Sequence, residues 1–467
     1  MKRVLLIPPI FLVFLVGCQA KFLQLKPPLE EEGEVFLYIQ PFPQESDRLK
    51  FKMDSISAVR NDGMEFPLSL SLTELRGRDM RRQRLLGSVR LPPGSYGGLS
   101  FKIKEAILKS EEGEAALLLP GAPVKIDFSF NVSRKRAIVI SLVFNYAESV
   151  RQGFSFSPVF SIFIPAKPIT SVVGFVTNSG SNNITVFDKK LGQAVAVIAT
   201  GSRPAGMALD QRLKRAYVAL SGEDRVGVID VTAVDIIDSI NLSIGDHPQE
   251  LAITPDGKVL LTANTGSNTV SIIDLESLTE VSKVRVGNGP NSVLMDPQGR
   301  RAYVFNTASN TISVIDVPNR ALVTNIPTDP SPLRGQFNRR GDRLYVINEI
   351  YAYLTVIDPF SLSVLRRATV TMGASAIKVD RNTDLIYLGK RRDPVVEVYN
   401  PSTFFPVDYV RAGGEVAYMA IDGEERKLHM VSPERNSLLI SDLVSKKAVS
   451  ELDVGEEPYW VTLMGER

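Results

Sequence analysis

The chain has 467 residues, with 54 Lys and Arg against 52 Asp and Glu, a balance that gives no bulk electrostatic case for nucleic acid. A single cysteine excludes an internal disulfide and a Cys-x-x-Cys-His haem attachment, and two histidines are too few for a copper centre or a zinc hydrolase. With no Gly-x-Ser-x-Gly and no phosphate loop either, no metal or cofactor is expected.

The chain opens with a processing signal. Lys2 and Arg3 precede an apolar run at 4–16 that is too short to span a bilayer and is broken by Pro8 and Pro9. It ends in Leu15-Val16-Gly17-Cys18, which resembles the lipobox of bacterial lipoproteins, and Cys18 is the only cysteine. The resemblance implies that residues 1–17 are removed and that Cys18 carries a diacylglyceryl group and usually a third chain. Two or more chains anchor stably where one is marginal. Gln19, where an Asp would favour the inner membrane, implies an outer-membrane location on the same resemblance, with the periplasmic or extracellular side left open. No later apolar run has transmembrane length.

Residues 18–33, charged and Pro-containing, read as a tether. Short alternating or apolar runs at 35–39, 49–59, 85–91, 99–105, 124–132, 137–144 and 156–164 predict a β-sandwich over 34–164. Turns at Asn61-Asp62-Gly63 and Pro92-Pro93-Gly94 separate them. Leu85-Leu86-Gly87, Leu91-Pro92-Pro93-Gly94-Ser95-Tyr96 and Phe156-Ser157-Pro158 resemble an uncharacterised β-sandwich family found near the N-terminus of bacterial lipoproteins, which implies no activity. Arg76, Arg78, Arg81, Arg82 and Arg84, diluted by Glu74 and Asp79, read as a solvated loop, with contact to anionic lipid or lipopolysaccharide as the alternative. Residues 165–171, with Pro165 and Pro168, form a linker.

Residues 172–467 repeat. Alternating strands end at Asp188, Asp230, Asp274, Asp316, Asp358, Asn400 and Asp442, spaced by 42 residues except for one interval of 44. That period is the length of a four-stranded propeller blade. A Gly-x-x-Pro motif at 201, 245, 287 and 455 introduces a further strand and sets the phase: second, third and outermost strands, then the innermost strand of the next blade. The chain should therefore be all-β, a β-sandwich followed by a seven-bladed β-propeller, with the C-terminal strand completing the first blade and removing an open edge. Phe175-Val176-Thr177-Asn178 and Asn264-Thr265-Gly266-Ser267-Asn268 resemble the YVTN-type propeller repeats of bacterial and archaeal surface proteins, which implies a toroidal scaffold at the cell envelope.

The recurring acids Asp188, Asp230, Asp274, Asp316, Asp358 and Asp442 read as structural, accepting backbone N–H groups of the following turn. His247, in a loop, and His429, on a second strand, read as ordinary surface or core residues. Departure from the repeat marks candidates for binding. Units 5 and 6 depart most, with Tyr351, Tyr353, Lys390, Arg391 and Arg392; Arg203, Arg334, Glu415, Glu457 and Trp460 are expected at the same mouth. Tyr, Trp and Arg are the chemistry of recognition surfaces, with the cations suited to a carboxylate or phosphate and the rings to an apolar or sugar face. The expected function is a non-catalytic, lipid-anchored module that binds an envelope protein or surface polysaccharide. The rivals are a propeller enzyme, lactonase-like or quinone-dependent, and a structural surface-layer component.

Overall fold

A computed structural model describes residues 26–111 and 113–466; the expected export signal, Cys18 and the first part of the expected tether lie outside the described residues. The fold is all-β, and the single α-helix among the described residues is one turn, Tyr146–Ser149.

Two larger sheets and a two-stranded ribbon, Val150–Arg151 with Ser155–Phe156, form the N-terminal region. One runs, in spatial order, Phe160–Phe163, Ala137–Phe144, Gly33–Ile39, Arg84–Leu91 and Ser69–Leu70. The other is built on two long paired strands, Leu49–Arg60 and Gly94–Ser110, with Val124–Val132 and short edge strands added. Alternation along these strands sends Leu37, Leu86 and Ile140 from one sheet and Phe51, Leu99 and Phe101 from the other into a shared core. Phe42, Phe51, Phe144 and Phe156 cluster within it, with ring centroids 4.5 Å apart for the stacked Phe42–Phe144 and 4.9 Å for the tilted Phe51–Phe156. The strand expected at 156–164 is split into Ser155–Phe156 and Phe160–Phe163. Pro158 lies in the break, where a residue without an N–H cannot continue a ladder.

From Val173 onward the chain forms seven four-stranded antiparallel sheets, arranged as in a β-propeller. Unit 1 contains Val173–Asn178, Asn183–Asp188 and Gln193–Ala199, and its fourth strand is Pro458–Leu463, paired with Val173–Asn178. Units 2 to 7 begin with innermost strands Pro204–Asp210, Pro248–Ile253, Pro290–Met295, Pro332–Phe337, Ala374–Val379 and Tyr418–Asp422. These strands touch in succession, Tyr418–Asp422 touches Pro458–Leu463, and that strand touches Pro204–Asp210. The leading prolines stand at first positions of strands, where a missing donor is tolerated, and Pro406 likewise opens the outermost strand Pro406–Arg411.

Hydrogen bonds repeat with the sequence. Asp188 accepts from the N–H groups of Lys190 and Leu191 at 2.8 and 3.0 Å, and Asp230, Asp274, Asp358 and Asp442 do the same in their units. Asp316 accepts from Asn319 N–H at 2.8 Å. At the end of the second strand in units 1, 3 and 4, Asn178, Asn264 and Asn306 donate across the hairpin to Thr and Ser hydroxyls of the third strand.

The N-terminal sheets pack on the rim of units 7 and 1. Phe36, Tyr38 and Val139 join Ala194, Val197, Leu452 and Val454 in one apolar cluster, each large side chain contributing about 1.5–3 kcal/mol on burial. Gln83 pairs with the backbone of Ala194 through both amide atoms, at 2.8 and 3.2 Å, and so satisfies part of the outermost edge of unit 1. Arg82 and Arg84 hold Asp453 at 2.6 and 2.8 Å. This corrects the solvated-loop reading for those two arginines: a half-buried acid on unit 7 claims both. Arg76, Arg78 and Arg81 stay on the surface, paired with Glu74, Asp79 and Asp47.

Candidate functional site

The innermost strands line a central channel, and strand alternation gives it layered walls. At one repeat position of these strands stand Gly206, Glu250, Ser292, Arg334, Ala376, Tyr418 and Trp460. Two residues further along stand Ala208, Ala252, Leu294, Gln336, Lys378, Ala420 and Thr462.

The first layer closes the channel near the Gly-x-x-Pro face. Arg334 reaches across from unit 5 to Glu250 of unit 3, with Nη2 2.6 Å and Nε 2.7 Å from Oε1. Its Nη1 donates to the carbonyls of Ser375 at 2.8 Å and Ala417 at 3.2 Å. The guanidinium lies 5.3, 5.8 and 5.9 Å from the ring centres of Tyr418, Tyr459 and Trp460. Tyr418 and Trp460 stack at 3.6 Å. Burial works against the charge of Arg334, but the Glu250 carboxylate more than offsets it and holds the guanidinium firmly protonated. Burial also raises the Tyr418 phenol, to about 12.

Below this layer lies a cavity of about 290 Å³, lined from Arg334 and Trp460 to Gln211, Met295 and Glu466 at the far ends of the strands. The closing layer is buried, whereas Leu209, Ile253, Met295, Gln336 and Lys378 are half-exposed, so the cavity opens away from the Gly-x-x-Pro face. Lys378 Nζ sits 2.9 Å from Glu466 Oε1 and 5.0 Å from the Tyr418 ring centre. Burial lowers its affinity for the proton, and Glu466 reverses the shift, so the ammonium stays charged.

The expected site residues do not converge. Arg334 and Trp460 meet in the channel layer. Tyr351, Tyr353, Arg391 and Arg392 are exposed on loops of units 5 and 6, with Arg391 3.1 Å from Glu349. Glu415 is half-buried on the next loop, where burial raises its carboxyl pKa against the pull of Arg391.

Arg203 and Glu457 stand where the backbone, not the side chain, meets the repeat's demand. Both have left-handed φ, 55° and 50°. Their N–H groups donate to Asn182 and Asn436 at 2.9 and 3.1 Å. Gly289 and Ser331 make the same bond to Asn268 and Asn310. Lys390 occupies the repeat position of Asn264 and Asn306, and its ammonium takes Glu397 at 2.7 Å and Asp393 at 3.1 Å. The pair replaces an amide–hydroxyl bond inside unit 6, which corrects the reading of Lys390 as a ligand-facing cation.

Glu250, Tyr418, Lys378 and Glu466 were missed by reading loops. The first three emerge when the innermost strands are aligned on the 42-residue period and polar or aromatic residues are sought in a column otherwise small; Glu466 lies beyond the repeat. His429 is fully buried beside Phe187, and neither ring nitrogen has a hydrogen-bond partner. No group of three or more His, Cys, Asp or Glu among the described residues is placed to hold a metal ion.

The YNCE-like β-propeller family model matches residues 169–383. The chain is similar to that family over units 1 to 5. The match stops in unit 6, where the Gly-x-x-Pro motif has also lapsed. No curated protein matches. Among solved structures, a functionally unknown protein from Desulfotomaculum acetoxidans is 15% identical with a TM-score of 0.55, over 63% of this chain and 99% of that one. A structure described as a putative 6-phosphogluconolactonase from Bacteroides uniformis is 14% identical with a TM-score of 0.54, over 63% and 99%. The dihydro-haem d1 dehydrogenase NirN is 14% identical with a TM-score of 0.50, over 64% and 77%. At these identities the likeness is one of fold.

Proposed function

We propose that this protein is a lipid-anchored, non-catalytic binding module of the cell envelope, held through Cys18 in the outer membrane. A β-sandwich and a seven-bladed β-propeller make up its folded part, and Pro458–Leu463 closes the ring through unit 1. The succession of contacts between innermost strands supports that closure. The ligand is a segment of a partner protein or the end of a surface polymer.

The observation that carries the binding role is the channel cavity. It has a preformed, one-sided opening of about 290 Å³ and a floor of stacked aromatics. A fixed cation and amide groups stand on its walls. That is the composition of a recognition pocket, near the lower end of the usual size range. The floor is rigid because Arg334 ties units 3, 5, 6 and 7 together.

Cross-linking and affinity capture from native membranes test this with the full chain and two variants. One carries Lys378→Met and Gln336→Ala; the other carries Tyr351, Tyr353, Arg391 and Arg392 all changed to Ala. Loss of a captured species in the first variant alone is the expected result. Capture unchanged in the first variant and lost in the second moves the site to the loops of units 5 and 6. Equal capture by all three proteins, or none by any, counts against a binding site in the propeller.

A further inference from the structure

We propose that the open end of the channel is a carboxylate-binding site for a uronate residue, and that the Glu466 side chain occupies it as a displaceable stand-in. The inference rests on the binding-module reading and names the ligand chemistry of its cavity.

Glu466 follows the last strand and turns its carboxylate back into the channel. Each oxygen has its own donor on a different innermost strand: Lys378 to Oε1 at 2.9 Å and Thr462 hydroxyl to Oε2 at 3.0 Å. Two-point contact with one ionised donor is how a planar carboxylate is recognised. The aromatic face of Tyr418 backs the ammonium.

A comparison with the other channel ion pair separates the displaceable acid from the structural one. Glu250 lies within a strand, its side chain is 2% exposed, and Arg334 is bonded on every side. The Glu466 side chain is 20% exposed and hangs from Gly465, whose φ of +87° suits a glycine pivot. Its backbone is held by a bond from Glu466 N–H to Leu463 O at 3.1 Å, by a single bridge to Asp422, and by the clasp of the exposed Gln211, which accepts from Gly465 N–H at 3.0 Å and donates to Glu466 O at 2.8 Å, so only the side chain is free to swing aside. A ligand carboxylate can take over Lys378 and Thr462 without breaking a strand ladder. The cavity beside that point has room for one sugar ring. Its polar groups, Gln336, Gln211 and Ser292, suit hydroxyls, and the edges of the stacked Trp460 and Tyr418 give it an apolar wall.

Trp460 is the only tryptophan and lines the cavity, so intrinsic fluorescence reports occupancy directly. The full chain, purified in detergent, is titrated with sodium glucuronate, glucose and sodium acetate. Glu466→Gln should bind glucuronate at least tenfold more tightly than the native protein, with a fluorescence change that glucose does not produce and acetate produces only at much higher concentration. Gln211→Ala loosens the clasp but also removes one polar group of the cavity wall, so it should shift affinity the same way by a smaller factor. Lys378→Met added to Glu466→Gln should abolish the response. The proposal is overturned if neither single variant gains affinity, if glucose binds as well as glucuronate, or if the Lys378→Met combination still binds. Because the probe is a defined sugar acid and the protein is pure, failure here leaves the capture experiment above to decide the broader reading.

Discussion

Units 1 to 4 and units 5 to 7 share one backbone plan but distribute chemistry very differently. In the first group, Asn178, Asn264 and Asn306 bridge their hairpins, and Asn182, Asn268 and Asn310 tie each loop to the next unit. In the second, Ala352 and Pro394 stand where the loop Asn would be, and Lys390 stands where the hairpin Asn would be. The same half supplies Arg334, Gln336, Lys378 and Tyr418 to the channel, whereas units 2 to 4 supply Gly206, Ala208, Ala252, Ser292 and Leu294, with Glu250 as the exception. The family-model match ends at 383, so most of the departing half lies beyond it. Residues that keep the repeat folding and residues that give the channel its character are therefore divided unevenly, though not cleanly. Unit 5 keeps the hairpin Asn348, unit 7 keeps the loop Asn436, and Trp460 and Thr462 of unit 1 line the channel.

The strongest way to break that contrast is at its bridge. Glu250→Ala leaves the Arg334 guanidinium buried without its carboxylate and should destabilise the propeller by about 3–5 kcal/mol, seen as a large fall in Tm. Glu250→Leu combined with Arg334→Met should recover most of the loss, because two apolar side chains remove the need for pairing. If Glu250→Ala proves neutral, water reaches the layer and the channel is not closed there.

A second large effect belongs to unit 7. Burial pushes the pKa of His429 down to about 3, against weak opposition from Asp422. The unfolded chain binds a proton near pH 6.5 and the folded chain does not, so stability is full above about 6.5 and falls as the pH drops toward about 3. The slope from this residue is at most about 1.4 kcal/mol per pH unit. His429→Phe should flatten the decline of Tm between pH 6 and 4; an unchanged slope would show that His429 finds a partner or protonates in place.

The difference between the halves also explains what could be read in advance. The 42-residue period made the four-stranded units legible, because hydrophobic alternation and the turn-capping acids recur. The short strands Ser69–Leu70 and Glu74–Arg76 were not legible, since two or three residues carry no period. Nor was the docking of Phe36 and Tyr38 on unit 1, because a strand's pattern shows which face is buried and not what buries it. Of the expected site residues, Arg334 and Trp460 lie in the channel. The loop residues stood out for their chemistry, yet a loop sequence does not say whether a cation is spent locally, as Lys390 is on Glu397.

That substitution offers a sharper, smaller test. Lys390→Ala leaves Glu397 facing Tyr399 and Thr371 without its cation and should cost roughly 2–3 kcal/mol. Lys390→Asn with Glu397→Ser rebuilds the bond that Asn306 makes to Ser313 in unit 4 and should fall within about 1 kcal/mol of the native protein. Urea unfolding separates the two. A double variant as unstable as the single would mean that unit 6 has repacked around the ion pair.

The smallest effect comes from the regular half, at Arg203. A left-handed φ of 55° costs a non-glycine residue about 1–2 kcal/mol, part of which glycine returns through the entropy of the unfolded chain. Arg203→Gly should therefore raise stability by a few tenths to about 1 kcal/mol, while the bond from residue 203 N–H to Asn182 persists. Arg203→Val, β-branched in the same conformation, should lower it by a comparable amount. The pair of variants asks whether a large exposed cation at this mouth is needed at all. If Arg203→Gly is more stable and captures the same partner from membranes, the side chain is incidental and the backbone is what the position requires. If capture is lost while stability rises, the regular half also contributes to the ligand site.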